Sequence, residues 1–219
     1  MATRPDRTAA IVLAGGGSTR FGSDKTRARL GGSTLLERVL DTAAPLVDDL
    51  VVVGPWAPPG RDRVLEAERL QGPLRGLVEG LRHVEAEHAL VLGADHPFLQ
   101  PALLGALLER RGEGDAVVPV GPEGPEPLVA CYRTGVLGRA EQLLADGRRS
   151  MRALLGEVRT RWLGEAEWRP ADPEGRSFLD VDRSSDLERW AGRTSGAEVT
   201  PERDQLELAA GEDLEHRGR

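Results

Sequence analysis

Short apolar runs alternate with segments of helical periodicity along most of this chain. The runs are rich in Val, Leu and Ala and carry no charge, which is typical of strands that are buried on both faces. They cover Ala9–Ala14, Leu50–Val53, Ala89–Leu92 and Ala116–Val120. The alternation predicts an α/β fold with a mostly parallel sheet and helices on both faces.

Local signals place the other elements. Ser33 is the expected N-cap of a first helix that Pro45 ends. Further helices are predicted over Leu74–Val84, Ala102–Arg110, Val136–Ala145 and Ser150–Val158. Further strands are predicted over Leu128–Tyr132, Thr160–Leu163 and Phe178–Val181, followed by a short helix over Asp186–Trp190.

Composition limits the class of protein. The 29 basic residues face 36 acidic ones, giving a net charge of −7, and no basic block marks a nucleic-acid surface. A single Cys excludes a disulfide framework. A membrane-spanning helix needs about 20 apolar residues in a row, and no stretch of the sequence approaches that length. We therefore expect a cytoplasmic protein, a monomer or weak oligomer, that binds neither nucleic acid nor membrane.

The chain divides at about Trp190. Residues 1–190 are predicted to form one domain, because the alternating pattern runs through them without a break. Residues 191–219 hold seven acids, four Arg and few large apolar side chains. That composition predicts a disordered acidic tail.

The most informative segment follows the first apolar run and extends from Leu13 to Lys25. Three successive glycines allow backbone N–H groups to face a phosphate, and Arg20 and Lys25 supply positive charge. Lys25 is the only lysine in the chain. The dinucleotide fingerprint does not fit, because it requires glycine at residue 20, and the Walker-type loop requires lysine where Ser23 stands.

This segment resembles the signature of the molybdenum cofactor guanylyltransferase family, Leu-Ala-Gly-Gly-x-Ser-x-Arg-(Phe/Met)-Gly-x-Asp-Lys, at every fixed position. The resemblance implies a Rossmann-like nucleotidyltransferase domain in which the loop wraps a triphosphate. It assigns catalytic roles to Lys25 and Arg20. It also assigns nucleotide binding to Leu13, Ala14, Gly15, Gly16, Gly17, Ser18 and Lys25.

Asp95 directly follows the buried run Ala89–Leu92, at the edge where parallel sheets bind ligands. A nucleotide triphosphate requires Mg²⁺, which one or two carboxylates hold together with the phosphates. The segment Asp95-His96-Pro97-Phe98 resembles the family's Asp-(Thr/Met)-Pro-(Phe/Tyr) motif, which implies that Asp95 binds Mg²⁺ and nucleotide and acts in catalysis. Here His96 replaces Thr or Met. The alternative is that Asp95 caps the helix that begins near Pro101.

Asp180 and Asp182 flank Val181, on one side of the predicted strand. The segment resembles the family's Asn-Val-Asn element, which implies a place in the wall of the acceptor site. With Asp at both positions, Asp182 is a candidate ligand for a second metal. Capping of the helix from Asp186 is the alternative role.

Gly72, Pro73 and Leu74 resemble the family's Gly-Pro-Leu-Ala-Gly loop, which implies a place near the nucleotide base. Arg75 replaces a small residue there, and Gly54 stands where the family often carries Asn, so base specificity stays open. Arg149 belongs to a basic cluster, residues 148–152, that is either an acceptor-binding site or a solvated surface. Cys131 is interpreted as a core residue.

The resemblance implies transfer of GMP from GTP to molybdopterin or its molybdenum form, with Mg²⁺ as cofactor. One alternative keeps the fold and changes the substrate, giving a cytidylyltransferase or another transferase for a small acceptor. A second alternative is a nucleotide-binding protein without turnover.

Overall fold

The computed structural model describes residues 4–15, 27–30, 32–59, 64–65, 72–181 and 185–186. Its main sheet has the strand order β10-β7-β9-β6-β1-β4-β5, with β8 paired to β7. These strands are β1 (Arg4–Leu13), β4 (Asp49–Val53), β5 (Val64–Leu65), β6 (Ala86–Gly93), β7 (Ala116–Gly121), β8 (Gly124–Pro125), β9 (Val129–Arg133) and β10 (Thr160–Leu163). A separate two-stranded ribbon consists of β2 (Arg29–Leu30) and β3 (Ser33–Thr34).

The sheet is mostly parallel. Strand β1 is parallel to both β4 and β6, and β10 is parallel to β7. Along the main strand order, only β9 runs the other way, antiparallel to β6 on one side and β7 on the other. The predicted fold class is therefore confirmed, and the direction of β9 is the feature that the apolar pattern did not indicate.

Helices cover both faces of the sheet. They are α1 (Leu35–Ala43), α2 (Pro73–Leu81), α3 (Pro101–Glu109), α4 (Leu137–Ala145), α5 (Met151–Leu155) and α6 (Glu165–Trp168), with 3₁₀ turns at Ala44–Leu46, Thr134–Val136 and Arg176–Phe178. Within the described residues, no helix combines the length and the apolar character needed to cross a membrane.

Alternate residues of β1 enter two separate cores. Ile11 packs with residues of α2, α4 and α5, whereas Val12 packs on the other face with residues of α1 and α3. Both side chains are fully buried, and burial of an aliphatic side chain of this size stabilises the fold by about 1.5–3 kcal/mol. Burial on both faces is the reason that Ala9–Leu13, the second half of β1, is an unbroken apolar run. The first half carries Arg4, Asp6 and Arg7 and extends the strand beyond its predicted start at Ala9.

The helix boundaries differ from the predictions by one to three residues at several ends: α2 ends at Leu81 rather than Val84, and α3 spans Pro101–Glu109 rather than Ala102–Arg110. Thr34, not Ser33, caps α1, because its hydroxyl accepts the Glu37 N–H while the Glu37 carboxylate accepts the Thr34 N–H. Helix α5 ends at Leu155 rather than Val158. The Thr160 hydroxyl bonds the Leu155 carbonyl at 2.9 Å, which satisfies one of the carbonyls that a helix end exposes.

The predicted strand over Phe178–Val181 is wrong. Residues Arg176–Phe178 form a 3₁₀ turn, and Leu179–Val181 joins no strand of the sheet. The turn forms because the buried Asp172 carboxylate accepts the backbone N–H groups of Arg176 and Ser177, at 2.9 and 2.7 Å. This local bonding replaces a strand ladder, and the segment crosses the end of the sheet instead.

Candidate active site

The start of the glycine-rich loop lies at the carboxyl edge of the sheet. The Ala14 N–H donates to the Val53 carbonyl at 2.8 Å, and the Ala94 N–H donates to the Leu13 carbonyl at 3.0 Å. These bonds fix the backbone where the chain leaves β1, between the ends of β4 and β6. The predicted residues Gly16, Gly17, Ser18, Arg20 and Lys25 lie outside the described residues.

Gly54 packs directly against this backbone. A Cβ at residue 54 would lie 2.9 Å from the carbonyl carbon and oxygen of Ala14, closer than a side chain is tolerated. The space that a side chain at residue 54 would occupy is therefore filled by the backbone of the loop. This contact gives a physical reason for glycine at that position.

Asp95 follows β6 at the same edge of the sheet. Its side chain is about a quarter exposed, and it folds back over Gly93, where an added Cβ would lie 2.4 Å from Asp95 Oδ1. Helix α3 has Gln100 as its N-cap and receives no side-chain cap. The alternative that Asp95 caps this helix is therefore wrong, and its position suits ligand binding.

Val181 joins the segment that carries Asp180 to Asp95. The Val181 N–H donates to the Asp95 carbonyl at 2.9 Å, and its side chain is fully buried in a small third cluster. That cluster contains Leu30, Leu35 and Val181, with Ala28 and Phe98 packed against it. Asp180 is exposed next to this anchor, and Asp182 lies outside the described residues.

A polar pocket of about 380 Å³ opens between Asp180 and the loop after β8. It is lined by His96, Glu123, Pro125, Glu126, Arg152, Phe178, Leu179, Asp180 and Asp186. Burial raises the pKa of the Glu126 carboxyl, with His96 opposing the rise and Asp180, Glu123 and Asp95 adding to it. Glu126 therefore shares a local electrostatic environment with both predicted acidic segments.

Sequence reasoning missed Glu126. The sequence signal was weak, because Glu126 stands in a Gly- and Pro-rich segment immediately before Pro127 and the predicted strand Leu128–Tyr132. What the pattern did not show is that the hairpin of β7 and β8 turns this residue towards Asp180.

The Gly72 loop and the basic cluster lie side by side. An open groove of about 660 Å³ runs between them, lined by Pro73, Pro127, Leu128, Arg148, Arg149, Ser150, Met151, Arg152 and Ala153. Gly72 has φ +99°, and an added Cβ there would lie 3.4 Å from the Arg149 carbonyl. The structure thus brings together two segments predicted to bind nucleotide and acceptor.

Two of the side chains considered in the sequence, Arg75 and Cys131, do not take part in the site. Arg75 is half exposed and pairs with Glu79 at 3.0 Å, one turn along α2, so it points to solvent. Cys131 is buried, and burial raises the pKa of its thiol to about 12, which keeps it protonated. Cys131 is a core residue, as predicted.

The donor chemistry at Asp95 fits Mg²⁺. Within the described residues, no three His, Cys, Asp or Glu side chains form a ready-made metal cluster. Mg²⁺ does not need one, because it is commonly held by one or two carboxylates, with water and phosphate oxygens as its other ligands. A partly exposed carboxylate beside the loop predicted to bind phosphate meets this requirement.

Comparison with known proteins agrees with this geometry. The family described as "MobA-like NTP transferase domain" matches residues 10–162. The chain is 34% identical over 187 residues to a probable molybdenum cofactor guanylyltransferase of Chloroflexus aggregans, covering 81% of this chain and 90% of the relative. It is also 34% identical over 190 residues to the molybdenum cofactor guanylyltransferase of Desulfosudis oleivorans, covering 84% and 94%.

A solved structure has the same fold. It is the molybdopterin-guanine dinucleotide biosynthesis protein A of Archaeoglobus fulgidus, with a TM-score of 0.73 and 26% identity, covering 84% of this chain and 97% of that one. The resemblance found in the glycine-rich loop is therefore confirmed over most of the chain. The chain belongs to the MobA-like NTP transferase family and is a nucleotidyltransferase.

Proposed function

We propose that this protein transfers GMP from GTP to a molybdopterin-type acceptor and releases pyrophosphate, as a step in molybdenum cofactor biosynthesis. The observation that carries the proposal is the placement of Asp95 beside Leu13–Gly15, at the carboxyl edge of the sheet. Two relatives that are 34% identical to the chain bear the name molybdenum cofactor guanylyltransferase.

The nucleotide binds along the edge formed by β1 and β6. The Ala14 N–H is already bonded to the Val53 carbonyl, so the backbone N–H groups of Gly15 to Gly17, together with Ser18, hold the triphosphate. Gly72, Pro73 and Leu74 face the base. Lys25 neutralises charge at the α-phosphate, where the transition state forms, and Arg20 draws charge towards the leaving pyrophosphate. The fixed backbone of Leu13 and Ala14 supports this assignment, because a loop that orients phosphate must begin from a rigid point.

Asp95 is the proposed Mg²⁺ ligand, and Asp182 is the proposed second carboxylate ligand. When bound, Mg²⁺ neutralises phosphate charge and aligns the triphosphate for in-line attack. Asp95 is suited to the task because its backbone carbonyl is held by the Val181 N–H and its carboxylate rests on Gly93. Both contacts restrict the positions that the carboxylate can take.

The acceptor binds on the other side of Asp95. Asp180, Asp182 and Arg149 are the proposed contacts, supported by the polar pocket at Asp180 and the basic groove at Arg149. A phosphate nucleophile is already ionised at neutral pH, so the site requires no strong general base. Its task is to align two anions and to neutralise their charge.

The experiment is a pyrophosphate-release assay with Mg²⁺ and a molybdopterin acceptor, run with GTP, CTP, ATP and UTP in turn. We expect turnover with GTP that falls strongly in Asp95→Asn. The matched control is Asp146→Asn, an exposed carboxylate at the end of α4. Preference for CTP would make the protein a cytidylyltransferase, and nucleotide binding without any turnover would contradict an enzymatic role.

The same proposal covers partners and location. We infer that the protein works in the cytoplasm as a monomer or weak oligomer, and that its partners are small molecules rather than nucleic acid or membrane. The net charge of −7 supports this, because it disfavours polyanionic surfaces. Sedimentation at several protein concentrations, with and without duplex DNA, tests it.

A further inference from the structure

His96 is buried against the residue proposed to bind the metal. Its side chain is 8% exposed, and Nε2 lies 3.8 Å from Asp95 Oδ1. On the other side of the ring, Nδ1 lies 3.1 Å from the Ser177 carbonyl oxygen. The ring therefore occupies the space between Asp95 and the turn at Arg176–Phe178.

The hydrogen bond to the Ser177 carbonyl fixes the tautomer and the orientation of the His96 ring. A carbonyl oxygen only accepts, so Nδ1 carries a hydrogen and donates it to Ser177. That bond selects the tautomer and the ring orientation, as a second-shell partner does for a histidine in a metal site. The edge carrying Nε2 is consequently held towards Asp95.

Ser177 is itself rigidly held. Its N–H donates to the buried Asp172 carboxylate at 2.7 Å, and its hydroxyl accepts the Gln100 N–H at 2.9 Å. Ser177 has no exposed surface. The ring of His96 is thus tied to a fixed point in the fold, and Asp95 lies at the other end of the ring.

We propose that His96 is a positioning residue, whose bond to Ser177 holds the Asp95–His96 backbone and thereby sets the carboxylate of Asp95 for the metal. The inference rests on the proposed function, since it takes Asp95 as the Mg²⁺ ligand. A side chain that only filled space would act through its volume. In this proposal, metal binding depends instead on one hydrogen bond, from His96 Nδ1 to the Ser177 carbonyl. The same bond keeps the segment that leads to Asp180 beside Asp95.

The test compares two substitutions of nearly equal shape. In His96→Asn, the amide nitrogen takes the place of Nδ1 and donates to Ser177, whereas His96→Leu removes the donor. Binding of Mn²⁺ alone is measured from the electron paramagnetic resonance of the free ion. We expect binding about tenfold or more weaker in His96→Leu, in the range typical of a lost second-shell contact, and recovery towards wild type in His96→Asn.

The assay adds a second readout. The Mg²⁺ concentration for half-maximal turnover rises in His96→Leu and returns in His96→Asn, while KM for GTP at saturating Mg²⁺ changes little. His96→Met also lacks the donor and replaces His96→Leu if that variant does not fold. His83→Leu is the matched control, because His83 Nδ1 lies 2.8 Å from the Glu79 carbonyl oxygen, a contact of the same kind just after α2.

We expect His83→Leu to leave Mn²⁺ binding unchanged. Equal Mn²⁺ binding in His96→Leu, His96→Asn and wild type overturns the inference, and so does a loss in His83→Leu that matches His96→Leu. Asp95→Asn separates the two proposals. If it binds Mn²⁺ like wild type, the metal site of the proposed function is wrong; if it loses Mn²⁺ while His96→Leu does not, only the inference about His96 fails.

Discussion

The carboxylate of Asp95 rests on the Cα of Gly93, two residues earlier. A Cβ built on Gly93 would lie 2.4 Å from Asp95 Oδ1 and 2.9 Å from the ring of His96. No heavy atom is tolerated at these distances, so the position of the carboxylate depends on the absence of a side chain at residue 93.

Gly93→Ala should therefore impair turnover more than stability. The added methyl group displaces the Asp95 carboxylate, and we expect a loss of about tenfold or more in kcat, of the size found when one electrostatic group is misplaced. Gly105→Ala is the control, because no atom lies within 4 Å of its added Cβ and the residue lies inside α3. It should raise stability by about 0.5–1 kcal/mol and leave turnover unchanged.

Gly54→Ala tests the contact with the start of the glycine-rich loop. The new Cβ meets backbone atoms of Ala14 at 2.9 Å, and backbone moves less readily than a side chain. We expect a loss of about 1–3 kcal/mol in unfolding free energy, typical of overpacking, together with weaker GTP binding. Urea unfolding and nucleotide titration measure the two effects, and full retention of both would contradict the close packing.

Lys25→Ala should lower turnover by about 100-fold or more, because it removes the cation proposed at the developing charge. Lys25→Arg should also be impaired, since a planar guanidinium does not replace a compact ammonium. Single-turnover kinetics at saturating GTP provide the measurement. Unchanged turnover in either variant would mean that the loop does not bind phosphate in the proposed way.

Glu126→Gln tests the half-buried carboxyl of the polar pocket. Burial raises the folded-state pKa of Glu126 above its unfolded value, so its contribution to stability is present at low pH and is lost as the pH rises through the folded pKa. The uncharged glutamine avoids that loss. We expect the variant to melt at a higher temperature than wild type at pH 7.5 in EDTA, and the difference to disappear near pH 4.

Equal melting temperatures of Glu126→Gln and wild type at both pH values would contradict the raised pKa. Glu123→Gln provides the comparison, because Glu123 lines the same pocket but is exposed. Its substitution should change stability little at either pH.

Removal of residues 191–219 should leave turnover and melting temperature close to those of the full chain. Their acidic, weakly apolar composition gives them little surface to bury. Pyrophosphate release and calorimetry on the shortened chain check this. A large drop in melting temperature would show that the segment packs on the domain.

Much of the fold can be predicted from the local pattern of apolar residues. The run around Ile11 and Val12 is apolar because both faces of β1 are covered, so its burial could be read directly from the sequence. The place of Asp95 could be predicted equally well, because a carboxylate that follows a buried parallel strand lies at the ligand-binding edge.

Other features depend on contacts between distant residues. The antiparallel direction of β9 leaves no mark on its own composition, since a buried strand is apolar in either direction. The turn at Arg176–Phe178 depends on the Asp172 carboxylate, and the role of Glu126 depends on how the hairpin of β7 and β8 folds towards Asp180. Neither is visible in the periodicity of the segment concerned.

The third cluster has a consequence for how the protein is made. Val181 packs with Leu30 and Leu35 and donates its N–H to the Asp95 carbonyl, so a residue late in the chain completes contacts whose other members are translated much earlier. Domains generally fold as units during synthesis, with the N-terminal parts emerging first. The bond between Val181 and Asp95 therefore forms only after residue 181 has left the ribosome.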